Sequence, residues 1–269
     1  MKKAFFEKKG FGVFCILFGL LGLLILAHHI VSYDNILRPN LAYLMENKII
    51  TNDRGGTTFL FMFTNLSNIF VDVFLILFGI GLFGSEKLYK LTHNDVIKGA
   101  ITLYICITGI IYCCVLMPFQ KASSFPLFPY PMEGGMWLSN IVNVWCHVLT
   151  PVLFTAFWFF PMENKTLPKF KTAMKYLIFP LVYFIFSIIR GGIVDWYPYP
   201  FLSSRQLWEA LFKNKAYDTV PALLLFAVVF VVLCGIFVAV GIGLNAIHNA
   251  KVRKLNGTEK NKEEAKSLS

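Results

Sequence analysis

Residues 219–246 read TVPALLLFAVVFVVLCGIFVAVGIGLNA, without one charged side chain in the run. As a helix rising 1.5 Å per residue, such a run is about 40 Å long, more than the roughly 30 Å hydrocarbon layer of a bilayer. A helix on the surface of a soluble protein keeps a polar face for water; this one has none, so its solvent is lipid. Outward from it, five more apolar windows of comparable length lie at 11–33, 58–83, 96–117, 137–160 and 173–194. The composition agrees. Of 269 residues, 57% are hydrophobic and 15% charged, against roughly 45–50% and about 25% in soluble domains, and the mean hydropathy is +0.63. The 28 phenylalanines are too many for one water-surrounded core. Lipid offers peptide groups no hydrogen-bond partner, so each window must satisfy its own backbone as a helix. The sequence predicts an all-α polytopic membrane protein, a bundle of six transmembrane helices. A soluble enzyme, a nucleic-acid binder and a disordered chain are excluded.

The formal charge of +10 is sorted by side of the membrane. Lys2, Lys3, Lys8 and Lys9, the 86–98 loop, Lys165, Lys169, Lys171 and Lys175, and the basic tail share one side. On the other lie 34–57, 118–136 and 195–218, where acids and bases nearly cancel. An excess of Lys and Arg marks the cytoplasmic face. Both termini are therefore expected in the cytoplasm of a multi-pass protein of the cell membrane, as an even number of spans requires, and no nucleic-acid partner is needed to explain the charge. The transmembrane domain covers 1–250. The polar segment 251–269 has no core of its own and is expected to be a disordered, solvated cytoplasmic tail. The first apolar run is too long for a signal-peptide core, no A-x-A site follows it, and Gly12-Val13-Phe14-Cys15 lacks the small residue of a lipoprotein signal; an uncleaved span is expected. Cys15, Cys106, Cys113, Cys114, Cys146 and Cys234 all lie in apolar stretches with no metal-ligand spacing and read as small hydrophobes. With no phosphate loop, haem motif or zinc signature, neither cofactor nor metal is expected.

Lipid-facing positions have no use for polar side chains, so those inside the spans mark an interior or a site. Thr64, Asn68 and Asp72 recur every four residues of the second span, flanked by Asn65 and Ser67, and share one helical face. Ser139, Asn140, Asn143, His147 and Thr150 form a second stripe in the fourth span, and Tyr183, Ser187 and Arg190 a third in the fifth. Counted from the span ends, Thr64 and Asn143 lie ~9 Å deep, His147 ~15 Å and Arg190 ~6 Å on the same side, and Asp72 ~21 Å. The first four can meet in one cavity in the outer half of the bilayer. Hydrogen-bonding glue between helices is the plainer role for Asn68 or Ser139 taken singly, and Arg190 can also snorkel to the interface. His28, His29, His93 and His248 read as interfacial. The loop Trp196-Tyr197-Pro198-Tyr199-Pro200-Phe201 after the fifth span reads as an aromatic anchor or as a rim over the cavity mouth.

Three pieces carry a resemblance to a known family: Phe63-Thr64-Asn65-Leu66-Ser67-Asn68, Asn143-x-x-x-His147-x-x-x-Pro151, and Trp196-Tyr197-Pro198-Tyr199-Pro200-Phe201-Leu202. In order and spacing they resemble the androgen-induced and androgen-dependent TFPI-regulating protein family, of which this chain looks like a distant bacterial-type member. The animal members are intramembrane threonine hydrolases of fatty acid esters of hydroxy fatty acids. The resemblance implies a nucleophilic threonine at Thr64 and an essential histidine at His147. The His-to-Pro spacing is one residue shorter here, and a shifted register in the second span makes Ser67 a rival nucleophile.

The chemistry stands on its own terms as well. A threonine hydroxyl needs a base to take its proton, and His147 is the deep base of the bundle. Asn68 or Asn143 can donate to the oxyanion of a tetrahedral intermediate, and Arg190 can hold a fatty-acid carboxylate, with Trp196 and Tyr199 at the rim. The expected partner is a lipid ester within the bilayer. Two other readings compete: a transporter or channel whose path Asp72 and Arg190 line, and a non-catalytic scaffold whose stripes are packing glue.

Overall fold

The structure, a computed structural model, describes residues 8–46, 61–117, 127–159, 168–169, 171–212 and 215–267, with side chains as far as 257. Lys2, Lys3, Lys165 and the expected start of the second span, 58–60, lie outside these residues, as do stretches 47–57 and 118–126 of two loops. Among the described residues there is no strand. Six helices are long and apolar enough to cross a membrane: Lys9–Glu46, Phe63–Leu82, Asp95–Leu116, Trp137–Trp158, Thr172–Val194 and Thr219–Gly257. The bundle expected from hydropathy is the bundle observed.

Span one lies along span two because glycines let their backbones touch. A Cβ at Gly79 would come within 2.5 Å of the Gly12 carbonyl oxygen, and one at Gly19 within 2.5 Å of the Asp72 carbonyl oxygen. In lipid, where apolar surface alone does not drive association, close approach of small residues supplies the packing. Span one also outruns its sequence estimate. Where a loop is expected from Asp34, the helix continues through a π turn at Tyr33–Leu37 and a 3-10 turn at Arg38–Asn40 as far as the described residues reach, at Glu46. Tyr33, Leu37 and Leu44, at most 1% exposed, keep a helical apolar spacing within a segment of otherwise loop-like composition, and the core they join holds the helix together.

The last helix is continuous from Thr219 to Ser267 and takes in 251–267, the part of the expected tail that lies within the described residues. The span ahead of it supplies a preformed nucleus, and Lys, Glu, Arg, Leu and Ala propagate a helix well. Where this helix passes spans four and five, the Tyr176 hydroxyl donates to Asn245 Oδ1 at 3.1 Å and Trp158 Nε1 to the Leu244 carbonyl at 3.3 Å. His248, expected at the interface, is buried there against Trp158, with ring centroids 4.7 Å apart. At the other end of the bundle, Asp195 at φ 48° stops span five, a left-handed conformation that Asp tolerates better than most residues. The chain then folds back through the turn Pro200–Leu202 into an amphipathic helix, Ser204–Leu211. Ser203 caps that helix, its Oγ accepting from the Gln206 N–H at 3.3 Å.

Candidate functional site

Thr64 sits in the first turn of the second span, where backbone N–H groups have no partner within the helix. Two tyrosines supply them: Tyr183 Oη accepts from the Phe63 N–H at 3.1 Å, and Tyr199 Oη from the Thr64 N–H at 3.4 Å. Tyr199 Oη also lies 3.3 Å from Thr64 Oγ1. The fold-back after Asp195 brings Tyr199 here, and the Tyr197 ring packs on Gly191, where a Cβ would collide with it. The positive end of the helix dipole therefore lies beside the Thr64 hydroxyl.

His147 is carried by a defect in span four. Pro151 has no N–H and its ring crowds the carbonyl four residues earlier, and the helix answers with a π turn over Trp145–Leu149. The Thr150 N–H there bonds the Trp145 carbonyl, which leaves the Cys146 carbonyl without its ordinary helical donor. Asn68 Nδ2 fills that role at 3.1 Å and donates to the Thr64 carbonyl at 2.8 Å as well. One amide thus ties the backbone of Thr64 to the backbone next to His147. The ring of His147 is fixed in turn. Its Nδ1 lies 3.0 Å from the Asn143 carbonyl oxygen, an atom that only accepts, so Nδ1 carries the proton and Nε2 is the basic nitrogen. Tyr112 stacks on the imidazole with centroids 4.0 Å apart.

Thr64 and His147 line one polar cavity of about 90 Å³, together with Asn65, Tyr112, Asn143 and Tyr199 among others. Among the described residues no hydrogen bond joins their two side chains. A second cavity of about 80 Å³ adjoins it, and apolar side chains of spans two, three, five and six and of the 199–202 turn make up nearly all of its wall. Thr64, Leu116 and Tyr199 belong to both walls. The threonine hydroxyl stands where a polar chamber meets an apolar one.

Of the residues singled out in the sequence, Thr64, Asn65, Ser139, Asn143, His147 and Tyr199 meet at this site. Asn68 is adjacent, but both of its N–H groups are held by backbone carbonyls, so it braces the site. Asn143 is held likewise, its amide donating to Tyr112 Oη at 2.5 Å and to the Leu127 carbonyl at 3.1 Å. Ser67 lies off the cavity; its hydroxyl is 2.7 Å from Thr108 Oγ1 and donates to the Thr64 carbonyl at 2.9 Å. Arg190 and Trp196 line neither cavity. The guanidinium lies over the Phe61 ring at 4.8 Å and the Trp196 ring at 5.1 Å, so the expected meeting of Arg190 with the polar stripes does not occur. Asp72 is wholly buried against Gly22 of span one and lines neither cavity. His29, read as interfacial, is 5% exposed and lines the polar chamber. Tyr112 was not singled out, although Tyr104, Thr108 and Tyr112 recur every four residues in span three. Among the described residues no group of His, Cys, Asp and Glu is arranged to hold a metal ion.

No protein-family model matches the chain, and neither curated proteins nor solved structures give a significant match.

Proposed function

We propose that the protein is an intramembrane hydrolase of lipid esters, of the fatty acid ester of hydroxy fatty acid type, with Thr64 as nucleophile and His147 as base. The observation that carries this reading is the joint wall of the two chambers. A hydroxyl at the foot of a helix dipole and an imidazole with Nε2 as its basic nitrogen face one polar cavity, and the same hydroxyl borders an apolar one. In the reaction, His147 Nε2 takes the Thr64 proton, directly or through one water, as Oγ1 attacks the ester carbonyl. The helix N-terminus and the Tyr199 hydroxyl offset the charge on the tetrahedral oxygen. The imidazolium returns the proton to the departing alkoxide, leaving acyl-Thr64. A water activated by the same nitrogen then releases the fatty acid and restores the hydroxyl. The topology that accompanies this reading keeps both termini cytoplasmic in the cell membrane.

Reconstitution in vesicles with a fatty acid ester of a hydroxy fatty acid, reading released acid by mass spectrometry, tests the proposal. His147→Ala and Thr64→Ala are expected to melt like wild type and to lose turnover by about 10²-fold or more. Unchanged turnover in folded His147→Ala contradicts it. The buried Asp72 is the one observation that favours a transport path. Its position away from both chambers leads to the expectation that Asp72→Asn keeps ester turnover.

A further inference from the structure

The apolar chamber has a direction. Thr64, Tyr199 and Phe201 lie at one end of its wall, and Leu177 and Phe237 belong to turns further into the bundle. From Phe184 to Leu177 on span five, and from Phe230 to Phe237 on span six, it follows the helices for about 10 Å. These two spans meet through ring stacks, Phe184 on Phe230 at 4.2 Å and on Phe226 at 5.8 Å. On either side of the stacks, Leu181, Ile185, Leu224 and Val228 are exposed, facing what is lipid in a membrane.

Proton bookkeeping fixes which half of an ester goes where. The leaving alkoxide takes its proton from His147, which lines the polar chamber alone. The alcohol half therefore lies in the polar chamber, and the acyl half, bonded to Thr64 in the intermediate, extends the other way. We propose that the apolar chamber is the acyl-chain site, filled directly from surrounding lipid between spans five and six, past the Phe184–Phe230 stack. The assignment of the two halves rests on Thr64 and His147 acting as nucleophile and base; the acyl site and its lateral opening rest on the chamber itself.

The test uses the protein in vesicles, as wild type, Cys234→Trp, which narrows the chamber, Phe230→Ala, and Leu24→Trp, which adds the same ring on span one at a position 67% exposed. p-Nitrophenyl esters of four to sixteen carbons give the chain-length profile. Palmitic acid with a diazirine at its ω carbon, photolysed and mapped by peptide mass spectrometry, gives the location of the chain. Cys234→Trp is expected to lower the ratio of sixteen-carbon to four-carbon turnover about ten-fold or more, and Leu24→Trp to follow wild type. Wild-type crosslinks are expected on 177–184 and 230–237, diminished in Cys234→Trp and reached faster in Phe230→Ala, which opens the stack. An unaltered profile in folded Cys234→Trp, or crosslinks on the separate apolar cavity of Phe11, Phe14 and Leu153, overturns the proposal. If wild type hydrolyses none of the esters, the hydrolase reading fails, and the crosslinks alone decide the acyl site.

Discussion

At the scale of single residues, the site depends on groups that hold others still. Asn68 joins two carbonyls on different spans. Replacing it with Leu leaves the Cys146 carbonyl buried without a donor, and one such loss costs about 1–3 kcal/mol. The expected result is a lower melting midpoint together with reduced turnover, read on the same preparation; a variant as stable and active as wild type removes Asn68 from the account. Tyr199→Phe keeps the ring and deletes the hydroxyl beside Thr64. If that hydroxyl stabilises the tetrahedral oxygen, kcat falls by about 10²-fold with little change in KM. A change in KM alone would make Tyr199 a substrate contact and nothing more. Thr64, Asn143 and His147 were legible in the sequence because a polar side chain in lipid has to be accounted for. Tyr112 and His29 were not. Tyrosine is equally at home in a core or a headgroup belt, and a histidine near the end of an apolar run looks interfacial until the helix is seen to continue past it. Arg190 misled in the opposite direction: its charge suggested a cavity, and its long side chain found aromatic faces instead.

At the scale of elements, two local irregularities position the chemistry. The first is the π turn Trp145–Leu149. A proline in a membrane helix announces a kink, but whether a π turn, a bend or a water answers it depends on neighbours, and here the neighbour is Asn68 on another span. Pro151→Ala restores the missing N–H and lets span four relax toward a regular helix, rotating His147 relative to Thr64. Melting is expected at or above the wild-type temperature, with turnover lowered by about 10²-fold. Full activity would mean that the π turn does not position the base. The second is the contact of span one with span two. A methyl on Gly22 collides with the Asp72 carboxyl, so Gly22→Ala should destabilise by about 1–3 kcal/mol. Asp72→Ala should relieve much of that, giving a double-mutant coupling of about 1 kcal/mol in thermal or denaturant melts. Additive effects would place the two groups out of contact. The long extension of span one to Glu46 was hidden for a simple reason. Asp34, Asn35, Arg38, Pro39 and Asn40 have the composition of a loop, and the buried face of Tyr33, Leu37 and Leu44 shows only once the rest of the bundle is there to cover it.

At the scale of the whole molecule, six apolar helices enclose a polar chamber and an apolar chamber that share Thr64, Leu116 and Tyr199 on their walls. The helices were readable from hydropathy, since an apolar run of this length with so few charges has no other solvent. The division of the interior was not, because chambers arise from which faces of different spans meet. The hydrolase reading stands on that division and on the threonine at its border, and active-site labelling tests it most directly. Purified protein in detergent would be treated with a fluorophosphonate probe, alongside Thr64→Ala, Ser67→Ala and His147→Ala, each checked for folding by its melting transition. Labelling of wild type and Ser67→Ala, lost in Thr64→Ala and His147→Ala, is the result predicted for an activated threonine at the chamber border. Folded wild type that takes no label, or label that persists in Thr64→Ala, contradicts it.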